Sequence, residues 1–337
     1  MKIIPSIVTL LFLIAAGTVS SPAQNATTVE PLLVYKALQD KDCRHWVDSV
    51  MDKLSFKEKV GQLFIYTIAP VDTKRNLELL REVIDTYKVG GLLFSGGKMQ
   101  NQVELTNRAQ RQAKVPVMIT FDGEWGVAMR LRGTPVFPRN MVLGCIRDNR
   151  LIYEYGREVA RQCRQIGVQV NFAPVADVNI NPKNPVINTR SFGEDPIQVA
   201  DKVIAYASGL EGGGVLSVCK HFPGHGDTSE DSHETLPVVR HNRARLDSVE
   251  LLPFKRYIYD GFAGIMTGHL YVPALDKSHK PASFSKAVVT DLLQKELGFQ
   301  GLCFTDALAM KGASTKKTDN PSVKALLAGN DILLAPV

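Results

Sequence analysis

The sequence holds 337 residues, 45% of them hydrophobic and 22% charged, an ordinary globular composition with room for one large domain or two modest ones. Its formal charge of +6 is spread thinly, with no basic block and no basic stretch interleaved with aromatics. Nucleic acid is thereby excluded as an expected partner, which leaves small molecules or oligomers.

In chain order, Lys2 precedes an apolar run over residues 3–16, and small and polar residues ending Ser21-Pro22-Ala23 follow it. That is the layout of a secretory signal peptide. The run is short for a membrane span and no later stretch supplies one, although an uncleaved leader would act as an N-terminal anchor. Residues 1–23 are therefore read as a signal peptide and the protein as exported, periplasmic or secreted. Residues 24–48 form a polar leader in which Trp46 is expected to pack, and residues 49–337 form the catalytic-type domain. Ser55-Phe56-Lys57-Glu58 has the form of a capping box and predicts a short helix running to Gly61.

From there apolar runs recur at 62–67, 89–95, 115–122, 168–175, 215–221, 264–270, 301–306 and 331–337. Segments with helical periodicity lie between them, at 75–87, 103–112, 151–166, 196–211, 246–260 and 285–297. Strand alternating with helix predicts a parallel sheet with right-handed crossovers. Eight strands predict a closed (β/α)8 barrel of the triosephosphate isomerase type. A doubly wound open sheet is the alternative, but no glycine-rich phosphate loop follows the first strand. The sequence ends in the eighth predicted strand, without the helix that usually follows it. It therefore reads as truncated there, with a further C-terminal domain in the natural polypeptide as one expectation.

The cysteines, Cys43, Cys145, Cys163, Cys219 and Cys303, show neither metal-like nor disulfide-framework spacing. Cys219 and Cys303 sit in apolar runs and are expected to behave as small buried hydrophobes.

Residues 219–237, CKHFPGHGDTSEDSHETLP, follow the fifth predicted strand and carry an unusual density of proton-handling groups. Pro223, Gly224 and Gly226 turn the segment into a loop whose backbone can approach a ligand. A metal reading takes His221, His225 and His233 with Asp227 or Asp231. Pro223 and Gly224, however, break the continuous helix that a zincin pairing needs. A catalytic reading pairs Asp231 with His233, two residues apart in an extended loop, so that the carboxylate orients the imidazole as general acid and base. A solvated charged loop is the third reading.

In a barrel, chemistry collects where the strands end. Asp122 closes the third run, Asn171 and Asp177 flank the fourth, Lys220 and His221 close the fifth, His269 the sixth and Asp306 the seventh. A carboxylate emerging from an apolar run, as Asp306 does, needs hydrogen bonds or a charge partner such as Lys220 or Arg130. It suits a helix N-cap or a nucleophile equally well. Arg190, in the loop NPVINTRSFG, suits a structural ion pair or a ligand-binding guanidinium. In Asp122-Gly123-Glu124-Trp125-Gly126, Trp125 either stacks on a sugar or fills a gap.

These residues resemble glycoside hydrolase family 3, and within it the bacterial β-N-acetylhexosaminidases, over roughly residues 50–337. The resemblance rests on KHFPGHG and DSH with their spacing, together with NFAPVADV, NPVINTRSFGEDP and TDALAM in the same order. It implies that Asp306 is the nucleophile and that His233 is an unusual acid/base residue with Asp231 as its dyad partner. It implies sugar-binding roles for Asp122, Arg130, Arg190, Lys220 and His221, and neither metal nor organic cofactor. Where the subgroup commonly reads DQEGG this chain has DGEWG, a departure in the wall of the sugar pocket. The implied substrate, given the export signal, is a muropeptide or chitin-like oligosaccharide ending in N-acetylglucosamine. A phosphorylase is the nearest rival, since a histidine acid/base would not repel phosphate as a carboxylate does. A catalytically inactive sugar-binding protein is the rival from another class.

Overall fold

The computed structural model describes residues 40–232, 235–313 and 320–336. The expected signal peptide, the first part of the leader, His233 and Val337 lie outside the described residues.

Eight strands, β1 (Phe64–Ile68), β2 (Gly91–Phe94), β3 (Met118–Phe121), β4 (Val170–Asn171), β5 (Leu216–Phe222), β6 (Gly264–Thr267), β7 (Leu302–Thr305) and β8 (Leu333–Leu334), form one sheet. Every neighbouring pair is parallel, in the order β8-β1-β2-β3-β4-β5-β6-β7. A parallel bridge between Phe304 and Ile332, with the Thr305 N–H donating to the Ile332 carbonyl at 2.9 Å, brings the two ends of the sheet together. The result is the (β/α)8 barrel expected from the alternation of runs.

The helices are α1 (Lys41–Asp52), α2 (Phe56–Gly61), α3 (Lys74–Asp85), α4 (Met99–Gln112), α5 (Asn140–Gly144), α6 (Asn149–Gln165), α7 (Pro196–Gly212), α8 (Arg243–Ser248), α9 (Leu252–Tyr259), α10 (Ala287–Glu296) and α11 (Pro321–Ala328). Their starts follow local chemistry. The Ser55 hydroxyl accepts from the Glu58 N–H while Glu58 accepts from the Ser55 N–H at 2.8 Å, the capping box predicted for α2. Asp195 caps α7, whose first residue, Pro196, has no N–H to leave unsatisfied. Helices α6 and α7 approach closely because Gly209 lacks a side chain: a Cβ there would lie 2.2 Å from the Tyr153 carbonyl oxygen.

Two predicted elements are interrupted within their runs. The 246–260 periodicity is divided into α8 and α9, because Pro253 in the first turn of α9 marks a new helix start. The 168–175 run is a strand at Val170–Asn171 and then an isolated parallel bridge from Val175 to Lys220, with Pro174, which has no N–H to donate, between them. Trp46, expected to pack, is 54% exposed on α1.

The strand pleat separates two apolar layers. Leu92, Phe94, Ile119, Phe121, Cys219, Ile265 and Cys303 face the helices. Ile65, Val170, Phe172, Val218, Met266, Phe304 and Leu334 fill the lumen, with Leu93, Met118, Leu216 and Leu302 against them. The Phe172 and Phe304 rings meet edge to face at 5.6 Å. The lumen is therefore a solid plug. Phe304 is fully buried in it, so Phe304→Ala is expected to lower stability by about 3–5 kcal/mol. Urea unfolding would report this as a shifted midpoint, and an unchanged midpoint would contradict the packing.

Candidate active site

Two-residue alternation carries the lumen face upward from the plug into polar residues. Asp122 continues Met118 and Thr120, Lys220 continues Leu216 and Val218, and Asp306 continues Leu302 and Phe304. These side chains line a cavity of about 590 Å³ at the C-terminal ends of the strands, together with Arg130, Arg190 and His221. All the sugar-site residues expected from the sequence, and the expected nucleophile, thus share one cavity. Asp231 lies on the loop beside it, next to Ser232, which does line it. His233 falls outside the described residues.

Lys220 is the hub. Its side chain is 3% exposed, and its Nζ donates to Asp122 Oδ1 at 2.6 Å and lies 2.8 Å from Glu124 Oε1. Arg130 pairs with the other oxygen of Asp122. Arg190 grips the fully buried Glu124 through Nη2 at 2.7 Å and Nε at 3.0 Å. Burial works against charge on Asp122 and Glu124, but the surrounding cations prevail and hold both carboxyls below their usual range. Burial likewise works to lower the Lys220 ammonium, and Asp122 and Glu124 raise it instead.

Beside this network, Asp177 is fully buried and accepts from two backbone N–H groups, His221 at 3.2 Å and His225 at 2.7 Å. Its other oxygen lies 2.6 Å from His221 Nδ1, and Arg190 Nη2 lies 3.3 Å from His221 Nε2. Both contacts are satisfied when Nδ1 carries the hydrogen towards Asp177 and Nε2 accepts from Arg190. Burial favours the neutral Asp177 carboxyl, but His221, His225 and the His225 N–H outweigh it and the acid is shifted downward.

Asp306 is half-buried, and its Oδ1 accepts the Ala307 N–H at 2.7 Å. No helix begins there, so the N-cap alternative does not hold. Burial alone would raise this carboxyl; His221, His269, the Ala307 N–H and Lys220 together lower it. An ionised carboxylate at the rim of a cavity is a competent nucleophile or electrostatic partner for developing positive charge. His269, buried behind it, is fixed by Ser283 at 2.7 Å and by the Ala307 carbonyl at 3.1 Å.

Asp177 was expected at the strand ends without an assigned role, and Glu124 had no assigned role at the site. Asp177 is a carboxylate in the apolar stretch PVADV, where desolvation without a local cation is the signal, and Glu124 is marked only by standing two residues after Asp122 at the end of the third run. Trp125 lies outside the cavity lining, with the Arg139 guanidinium stacked 4.0 Å over its ring. Of the residues in the metal reading, His221 and His225 are engaged by Asp177, Thr228 and Ser232, and His233 lies outside the described residues. Among the described residues Asp227, His241 and Glu250 come within metal-ligand reach of one another, at 4.8 Å. Arg245 reaches both carboxylates there, at 3.6 and 3.2 Å, and supplies the positive charge itself. All five cysteines are free, and burial pushes the Cys163 and Cys303 thiols up to about 12.

A parallel barrel whose strand ends present fixed carboxylates and cations around one cavity defines the class: a (β/α)8 barrel with a polar, charge-lined site at the C-terminal ends of its strands. The chain belongs to glycosyl hydrolase family 3, whose N terminal domain it matches over residues 55–337. It is 39% identical over 285 residues to a beta-hexosaminidase A of Pseudoalteromonas piscicida, covering 77% of this chain and 47% of that protein. Among solved structures, a family 3 beta-N-acetylglucosaminidase from Paenibacillus sp. str. FPU-7 superposes with a TM-score of 0.78 at 37% identity, over 83% of this chain and 55% of the other. A beta-glucoside phosphorylase, BglX, superposes with a TM-score of 0.83 at 25% identity, over 88% and 55%. The chain thus spans about half the length of each of these relatives.

Removing one charge of the hub leaves its partners buried and unmatched. Glu124→Gln is therefore expected to cost about 3–5 kcal/mol, read by chemical denaturation, and a cost below about 1 kcal/mol would show the pair to be dispensable. Burial lowers His225 from the ordinary 6.5 to about 4, and lowers His269 as well. The unfolded chain therefore binds protons that the native chain refuses, so stability rises with pH across the window from about 4 to 6.5. The His225 contribution approaches about 1.4 kcal/mol per pH unit within that window. Denaturation midpoints measured through it should fall as the solution is acidified, and a flat profile would contradict the assignment.

Proposed function

We propose that the chain is a retaining exo-β-N-acetylhexosaminidase. The observation that carries the reading is the meeting of Asp306 with Asp122, Arg130, Arg190, Lys220 and His221 in one cavity, supported by the hexosaminidase and N-acetylglucosaminidase names of its relatives. In this reading the Asp306 carboxylate attacks the anomeric carbon and forms a glycosyl-enzyme, which water then hydrolyses. Asp122, Lys220, Arg130, Arg190 and His221 hold the sugar hydroxyls through charge-assisted hydrogen bonds. Their mutual ion pairs fix these groups before the ligand arrives, which reduces the entropy cost of binding.

His233 is the proposed acid and base, with Asp231 orienting it, so that an imidazole takes the place of the second carboxylate. An imidazole suits both halves of the reaction near neutral pH, protonated to assist departure and neutral to accept a proton from water. The proposed substrates are terminal N-acetylglucosaminides of peptidoglycan or chitin fragments, met outside the cytoplasm by virtue of the leader at residues 1–23. No helix among the described residues is long and apolar enough to cross a membrane.

Phosphorolysis is a second reading, favoured by the likeness to the phosphorylase structure and by the cationic groups Arg130, Arg190 and Lys220 in the cavity. Sugar products formed with and without inorganic phosphate separate the two: a free sugar in both reports hydrolysis, a sugar 1-phosphate reports phosphorolysis.

The purified chain is expected to release p-nitrophenol from the N-acetyl-β-glucosaminide and not from the β-glucoside. Asp306→Ala and His233→Ala are each expected to lower turnover by about 100-fold or more. Near-normal activity in either variant would overturn the assignment.

A further inference from the structure

His225 takes no part in binding or chemistry as described above, yet it is 2% exposed and has every polar group engaged. Its N–H donates to Asp177 at 2.7 Å, and its carbonyl accepts from Asn184 Nδ2 at 2.8 Å and from the Thr228 hydroxyl at 3.1 Å. Its ring bridges Thr228 Oγ1, 2.7 Å from Nδ1, to Ser232 Oγ, 3.1 Å from Nε2. The next residue, Gly226, lies hard against the barrel, since a Cβ there would sit 1.8 Å from the Val178 carbonyl oxygen. The imidazole therefore stands on an immovable base and reaches across the loop to its far side. Ser232 is held there a second time, its carbonyl accepting the Gly312 N–H at 3.0 Å.

From this geometry we infer that His225 is a positioning residue, which sets the 227–232 loop against the cavity wall by hydrogen-bonding Ser232, the residue that follows the proposed dyad member Asp231. The inference rests on the proposed glycosidase reading. With burial keeping the ring neutral over the ordinary pH range, one nitrogen donates and the other accepts. The one hydroxyl hydrogen of Thr228 goes to the His225 carbonyl, so Nδ1–H donates to Thr228 Oγ1 and Nε2 accepts from the Ser232 hydroxyl. The groups facing the ring are Asp177, His221 and Arg190, and His221 stands 6.0 Å away, ring to ring. Asp177 thus supports both the sugar-facing imidazole and the loop-holding one.

A residue that places the acid/base loop affects protonation of the leaving group in the first step and activation of water in the second, and only the first depends on the leaving group. Ser232→Ala removes one hydroxyl and leaves His225 in the core. Its kcat/KM is compared with wild type on the phenyl and the 2,4-dinitrophenyl N-acetyl-β-glucosaminides, the second of which departs without proton assistance. The expected result is a fall in kcat/KM, which reports formation of the glycosyl-enzyme, of about tenfold or more on the phenyl substrate and within about twofold on the dinitrophenyl substrate. Ser232→Thr, which keeps the hydroxyl, is expected to restore most of the loss. Equal losses on both substrates, or wild-type behaviour of Ser232→Ala, would overturn the inference. Failure of wild type itself to cleave either glycoside would instead count against the hexosaminidase reading.

Discussion

A single ammonium group, that of Lys220, organises the mouth of this barrel. It is taken almost wholly out of water and surrounded by Asp122 and Glu124, which Arg130 and Arg190 hold from the outer side. None of these charges is tolerable alone in such a place, because desolvation costs several kcal/mol per ion. Together they compensate one another, and the compensation dictates position. The loop after β3, the 3₁₀ turn bearing Arg190 and the end of β5 have little freedom to move independently.

The layering beneath explains why a polar network can exist there. The lumen below is filled by Ile65, Phe172, Val218, Met266 and Phe304, so water has no route upward from the interior. The same pleat that builds this plug sends the next lumen-facing residues into the cavity. Stability and recognition are therefore assigned to successive turns of one alternation, with the apolar part rigid enough to hold the polar part in register. Burying charges at that boundary costs stability, and it yields a site whose groups need little rearrangement when a ligand enters.

How much of this was legible in the sequence depends on how far each signal reaches along the chain. Asp122, Lys220 and Asp306 could be read because each ends an apolar run, and period-two alternation is a local property. The capping box at Ser55 was legible for the same reason. Glu124 was legible by its place beside Asp122 and Asp177 by its place flanking the fourth run, but neither by its partner. Their partners Arg190 and His221 lie 66 and 44 residues away in sequence, a distance that only the closed barrel abolishes. Trp125 shows the limit from the other side, since an aromatic beside a site suggests stacking on a ligand and the ring is instead covered by Arg139. The division of α8 from α9 was visible at Pro253, but helical periodicity on both sides conceals it. His233 and Asp231 remain a matter of motif resemblance and loop geometry.

Asp177 has one further consequence. Through its two oxygens this carboxylate holds His221, which faces the ligand cavity, and the backbone of His225, which faces the loop. Any event that strengthens or weakens one set of hydrogen bonds redistributes the acceptor strength left for the other. Occupancy of the cavity and the seating of the loop draw on this one acceptor, and a linkage between them would be reciprocal. A ligand that drew His221 towards itself would alter the free energy of loop seating, and a seated loop would alter ligand affinity by the same factor. The shared element is one buried anion.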